Sequence, residues 1–184
     1  MTKYVAFLRG INVGGNKKVP MSDLKTAFES LGFSNVRTLL NSGNAVFDAE
    51  KADKEKIEKK LEKLFGFQIS VILRTMDNIK KLVDSKPFDR IKITPLTRLY
   101  VTFLKDPPPP RLRRAGKSES KLKTPYESPD KSFKILKVTE GEVISLVTLS
   151  PKFNTTEAMK VLEKEFGNKV TTRNWNTIVK LVNL

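Results

Sequence analysis

Apolar positions along the chain fall into short runs whose spacing alternates between strand-like and helical. Residues 3–9 are a continuous apolar stretch, Tyr4-Val5-Ala6-Phe7-Leu8 between Lys3 and Arg9, and predict a buried first strand. Gly10 to Val19 follows as a loop with three glycines and two asparagines. Pro20 suits the first turn of a helix, Leu24, Ala27, Phe28 and Leu31 give that helix an apolar face, and Gly32 stops it. Val36–Leu40 predicts a second strand, Asn41-Ser42-Gly43-Asn44 a turn, and Ala45–Phe47 a third strand. Ile57, Leu61, Leu64 and Phe65 mark a second helix closed by Gly66, and Phe67–Leu73 a fourth strand.

The order βαββαβ predicts an α+β fold with a ferredoxin-like subdomain over residues 1–75. A right-handed crossover makes the first two strands parallel, so both end at the same edge of the sheet. The loop after strand one, the turn after strand two and the turn around Gly66 should therefore share one rim, with Asn12, Asn16, Lys17 and Lys18 facing Asn41, Ser42 and Asn44.

Residues 76–184 predict a second, unlike α+β subdomain. Ile79, Leu82 and Val83 mark a helix over 77–83, and Leu99–Leu104 a strand. Residues 105–131, with Pro107-Pro108-Pro109-Pro110 and few apolar positions, predict a mobile basic insertion. Phe133–Val138 and Val143–Leu149 predict a hairpin across Glu140-Gly141. Asn154 and Glu157 are spaced as a capping box for a helix carrying Ala158, Val161, Leu162 and Phe166 and ended by Gly167. Thr171-Thr172-Arg173-Asn174 reads as the approach to a last helix bearing Trp175, Ile178, Leu181 and Val182.

Three of these segments carry a resemblance. Leu8-Arg9-Gly10-Ile11-Asn12-Val13-Gly14-Gly15, Asn41-Ser42-Gly43-Asn44 and Thr172-Arg173-Asn174 resemble the signature of an uncharacterised bacterial family, domain of unknown function 1697. The resemblance implies an α+β fold of two unlike subdomains, the first ferredoxin-like. It implies no activity, cofactor or catalytic residue.

Composition narrows the chemistry. The 184 residues hold no cysteine and no histidine, which excludes serine–histidine and cysteine–histidine catalysis within this chain and removes the commonest zinc ligands. No carboxylate cluster has metal-ligand spacing. No apolar run approaches the ~20 residues of a membrane span, and the N-terminal run is too short for a signal peptide, so the expected setting is the cytoplasm. A formal net charge of +15 favours anionic partners, nucleic acid or a phosphorylated metabolite.

The loop at Gly10–Lys18 is the leading candidate site. Gly10, Gly14 and Gly15 permit a nest of backbone N–H groups ahead of a helix N-terminus, and Arg9, Lys17 and Lys18 add positive charge. The spacing matches neither the dinucleotide fingerprint nor the P-loop, and a tight turn with Asn12 and Asn16 capped locally is the plainer reading. Across the rim, Asn41, Ser42 and Asn44 are needed by a hairpin turn, though the Asn41 amide could also hold a phosphoryl oxygen. Arg9 with an asparagine at the rim parallels the acylphosphatases, which share the split-βαβ order, so phosphoryl or acyl transfer is the alternative to simple binding. Arg173 and Asn174 could complete the rim from the second subdomain; equally, Asn174 could cap a helix and Arg173 be a buried structural arginine. Arg111, Arg113, Arg114 and Lys117, with Lys121 and Lys123, could clamp a nucleic-acid backbone, but they lack interleaved aromatics. A protein-interaction module working through a sheet edge or this basic stretch is the third reading.

Overall fold

A computed structural model describes residues 1–13, 15, 17–105, 125–167 and 169–184. Among these residues the fold is α+β, with nine strands and five helices in two antiparallel sheets. By contact density the chain divides into Met1–Ser85 with Val179–Leu184, and Lys86–Ile178.

The first unit begins with β1 (Thr2–Leu8), α1 (Met21–Glu29), β2 (Ser34–Leu39), β3 (Asn44–Ala49), α2 (Lys54–Phe65) and β4 (Val71–Thr75). Its sheet runs β4-β1-β3-β2 with every neighbouring pair antiparallel. Strand β3 therefore lies between β1 and β2 and makes those two parallel, as the split-βαβ order requires. Alternation along the central strands divides the buried residues between two faces. Ala6, Leu8, Ala45 and Phe47 join Leu24 and Phe28 of α1 and Ile57 and Leu61 of α2 in one cluster. Val5, Phe7 and Val46 point the other way and are equally buried. Helix α3 (Met76–Asp84) packs on β1 and β4. It thus belongs with the first unit, and the expected boundary after residue 75 lies ten residues too early.

Local chemistry explains the element ends. Asp53 accepts from the Glu55 and Lys56 N–H groups at the start of α2, and Gly66, at φ 77°, closes it. The Glu58 carboxylate of α2 accepts the Val71 N–H at 2.8 Å and so fixes where β4 begins. This places β4 four residues later than the apolar run from Phe67 predicts. Leu64, expected on the apolar face of α2, is exposed, because Ile57 and Leu61 fill that face. Pro20 sits at the N-cap of α1, just outside the first turn.

The second unit holds β5 (Thr97–Leu104), β6 (Tyr126–Glu127), β7 (Phe133–Val138), β8 (Glu142–Thr148), α4 (Thr155–Phe166), β9 (Val170–Asn174) and the start of α5 (Trp175–Val182). Its sheet runs β6-β7-β8-β5-β9. Tyr100, Leu104, Phe133, Ile135, Val143 and Val147 pack against Ala158 and Leu162 of α4. Asn154 accepts from the N–H groups of Thr156 and Glu157, as its position predicts, whereas the Glu157 carboxylate pairs with Lys160 at 2.9 Å. Two expectations need correction. Residues 171–174 form the edge strand β9 in register with β5, not an approach to a helix. The C-terminal end of the expected insertion is ordered, since Tyr126–Glu127 pairs with β7. The basic residues from Arg111 to Lys123 lie outside the described residues.

Two polar features of this unit yield predictions. Ser145 lies opposite Tyr100 in the β5–β8 ladder, and its Oγ is buried without a hydrogen-bond partner. Ser145→Ala should raise the unfolding free energy by about 1 kcal/mol by removing a desolvated hydroxyl; urea denaturation checks this, and an equal loss would contradict it. In the turn before β7, Asp130 accepts from the Ser128 and Ser132 hydroxyls, each at 2.6 Å, and these bonds hold its pKa below the usual 3.8. A depressed carboxylate contributes stability above its unfolded pKa and loses it as pH falls through the folded one. The melting-temperature difference between the wild type and Asp130→Ala should be full at neutral pH and shrink at acidities below 3.8; a difference that grows on acidification contradicts this.

Candidate functional site

Because β1 and β2 are parallel, the chain leaves both at one edge of the first sheet. Two backbone hydrogen bonds tie the segments that emerge there: Leu8 N–H to the Gly43 carbonyl at 2.8 Å, and Arg9 N–H to the Ser70 carbonyl at 2.9 Å. The loop after β1, the turn after β2 and the segment before β4 thus meet. Lys17 adds a further link, its Nζ lying 5.8 Å from the centre of the Phe67 ring.

Asn12 organises the loop. Its backbone adopts φ 55°, a left-handed conformation that asparagine tolerates better than most residues. Its N–H donates to the Lys17 carbonyl at 3.1 Å, which closes the loop on itself. Its side-chain Nδ2 donates to the carbonyls of Val19 (2.9 Å) and Asn41 (2.8 Å), while Oδ1 accepts the Val19 N–H at 2.8 Å. Two carbonyls and one N–H permit only this orientation of the amide. One side chain thereby fastens both ends of the loop and joins it to the turn.

The turn is equally constrained. Gly43 has φ +76°, and a Cβ there would lie 2.6 Å from Ile11 Cδ1 and 2.9 Å from Leu8 Cβ. Asn44 is fully buried, and its Nδ2 donates to the Leu39 carbonyl at 2.7 Å and to Ser42 Oγ at 3.1 Å. Leu40 takes φ 60°, unusual for leucine, yet its side chain is half exposed.

Between loop and turn lies a recess of about 350 Å³ lined by Asn12, Gly15, Lys18, Val19, Pro20 and Asn41. That volume is at the lower end for small-molecule sites. Its wall at Pro20 is the start of α1, where Pro20 supplies no side-chain cap to the first turn. Uncapped N–H groups and the helix dipole both favour negative charge there. Asp23 already sits in that first turn, where it accepts from the Ser22 hydroxyl at 3.1 Å and opposes an incoming anion.

The predicted residues therefore part company. Asn12, Gly15, Lys18 and Asn41 line the recess. Gly10, at φ 66°, shapes the loop without lining it, and Arg9 is anchored through its backbone. Ser42 and Asn44 are engaged inside the turn. Gly14 and Asn16 lie outside the described residues. Arg173 and Asn174 belong to β9 of the second unit. Arg173 is buried, and its Nη1 donates to Thr171 Oγ1 at 2.7 Å and to the Thr172 carbonyl at 2.9 Å. Burial pushes its guanidinium down to about 10, which leaves it charged at neutral pH. Asn174 Oδ1 accepts the Asn176 N–H at 2.9 Å and so caps α5. Val19 and Pro20, which the sequence marks only as helix entry, complete the recess. Among the described residues no group of three or more acids could hold a metal ion.

The family model described as "Protein of unknown function (DUF1697)" matches residues 1–129. The match takes in the whole rim and stops short of Arg173. Among solved structures, the conserved bacterial protein SP0830 from Streptococcus pneumoniae is similar, with a TM-score of 0.66 and 21% identity, covering 99% of this chain and 97% of that one. At that identity the likeness is one of fold. No curated protein matches.

Asn12→Ala should lower the unfolding free energy by about 2 kcal/mol, since it removes three hydrogen bonds and leaves buried partners unpaired. Gly43→Ala should cost a similar amount, about 2 kcal/mol, from overpacking against Leu8 and positive-φ strain. Chemical denaturation measures both, and a change within error for either would mean that the loop and turn are not fastened as described.

Proposed function

The chain belongs to the DUF1697 family of proteins of unknown function, and from that premise we propose that it binds an anionic partner through the recess at the rim of the first sheet. The observation that carries this reading is the recess itself, where Lys18 and Asn41 line a hollow that ends at the uncapped start of α1. Cation, amide and helix N-terminus each favour an oxyanion. The chain's +15 charge adds a long-range attraction for anions.

A phosphate-bearing small molecule suits the recess better than a nucleic-acid strand. The hollow is local, and stacking aromatics are absent from its lining. Binding is favoured over transfer chemistry, because the lining side chains include no carboxylate or hydroxyl to act as acid, base or nucleophile. The same reading takes the first unit as ferredoxin-like from its strand order, and the setting as cytoplasmic. No helix among the described residues is long and apolar enough to cross a membrane.

Isothermal titration with inorganic phosphate tests the reading. The wild type should bind, and Lys18→Ala should weaken binding by about tenfold, the value of one charge-assisted hydrogen bond at ~1.5 kcal/mol. Lys18 is exposed, so its melting temperature should barely move. Absence of binding at millimolar phosphate, or equal affinity in the variant, would contradict the proposal. Salt-sensitive binding of a labelled oligonucleotide that survives Lys18→Ala would place nucleic-acid contact elsewhere on the chain.

A further inference from the structure

Resting on that anion site, we propose that its ligand is an organic phosphate whose apolar body lies against Val13 and Leu40. The size of the recess is the first argument. About 350 Å³ corresponds to roughly a dozen water volumes at ~30 Å³ each. An inorganic oxyanion of five heavy atoms leaves most of that space unfilled. The polar lining at Lys18 and Asn41 is also joined by apolar surface from Val19 and Pro20.

The second argument comes from two side chains beside the recess. Val13 follows Asn12 directly and is 70% exposed; Leu40 precedes Asn41 directly and is 50% exposed. The 2.8 Å bond from Asn12 Nδ2 to the Asn41 carbonyl holds these two stretches together. Two apolar side chains are thus presented on either side of the staple that bounds the recess. Scattered exposed apolar residues need no explanation, but Leu40 also occupies φ 60°. Asparagine or glycine would adopt that backbone with less strain. A leucine held there, half in solvent, contributes little to the core and much to the apolar surface beside Asn41. Cationic and amide groups inside, with apolar side chains at the border, match a ligand with a phosphate head and a hydrocarbon or aryl body.

The experiment compares inorganic phosphate with phenyl phosphate by isothermal titration at matched pH and ionic strength. Phenyl phosphate should bind the wild type at least about fivefold more tightly, because the ring covers apolar surface. In the Val13→Ser/Leu40→Asn variant the ratio of the two affinities should fall toward one. Thermal melting checks that the variant folds, and Val13→Ser alone serves if the double variant does not. Equal affinities in the wild type, or a ratio unchanged in a folded variant, would overturn the apolar-body assignment while leaving the anion site intact. Failure of both probes to bind the wild type would instead bring down the underlying reading, and this one with it.

Discussion

The rim of the first sheet depends on a single side chain. Asn12 satisfies two carbonyls and one N–H, from Val19 and Asn41, with one amide. Each of these bonds adds only about 1 kcal/mol net, but together they decide a geometry that the backbone alone leaves open. Ten residues separate β1 from the N-cap of α1, enough for many loop paths. Fastening position 12 to position 19 closes the loop, and fastening it to position 41 sets the distance between the two walls of the recess. An aspartate would keep the Val19 N–H but face two carbonyls with a negative charge.

This constraint separates residues that build the site from residues that can meet a ligand. The amides of Asn12 and Asn44 are consumed by backbone partners, and Gly43 is required by close packing against Leu8 and Ile11. Lys18 and Asn41 are presented to the hollow that these residues create. The division also bears on the alternative of phosphoryl or acyl transfer. That mechanism needs an arginine and an asparagine directed at one reacting group. Arg9 is not among the residues that line the recess, and two of the three nearby asparagine amides in the described loop and turn are already bonded.

Topology made the meeting of loop and turn legible from sequence. Once the order βαββαβ is read, the right-handed crossover leaves one arrangement in which β1 and β2 end together. Individual side-chain roles were less legible, because asparagine in a glycine-rich loop serves equally as a staple, a turn former or a ligand contact. Residues 171–174 show why the second sheet was harder. Asn174 does cap a helix, and that signal hides the strand running up to it. The strand has no clean alternation: Thr171 and Arg173 are buried polar residues on one face, and Thr172 bonds to Thr102 on the other. Periodicity detects apolar faces, so a strand with a polar buried face leaves little trace. The start of β4 was misplaced for a related reason, since the Glu58–Val71 contact that sets it joins residues thirteen apart on different elements.

The most direct test maps where an anion sits. Titrating inorganic phosphate into ¹⁵N-labelled protein and following backbone amide shifts reports the position without assuming a ligand. The account predicts saturable shifts concentrated at Gly15, Lys18, Ser22 and Asp23, around the recess and the first turn of α1. Shifts that do not saturate, or that spread over the lysine-rich surface and spare these amides, would contradict it.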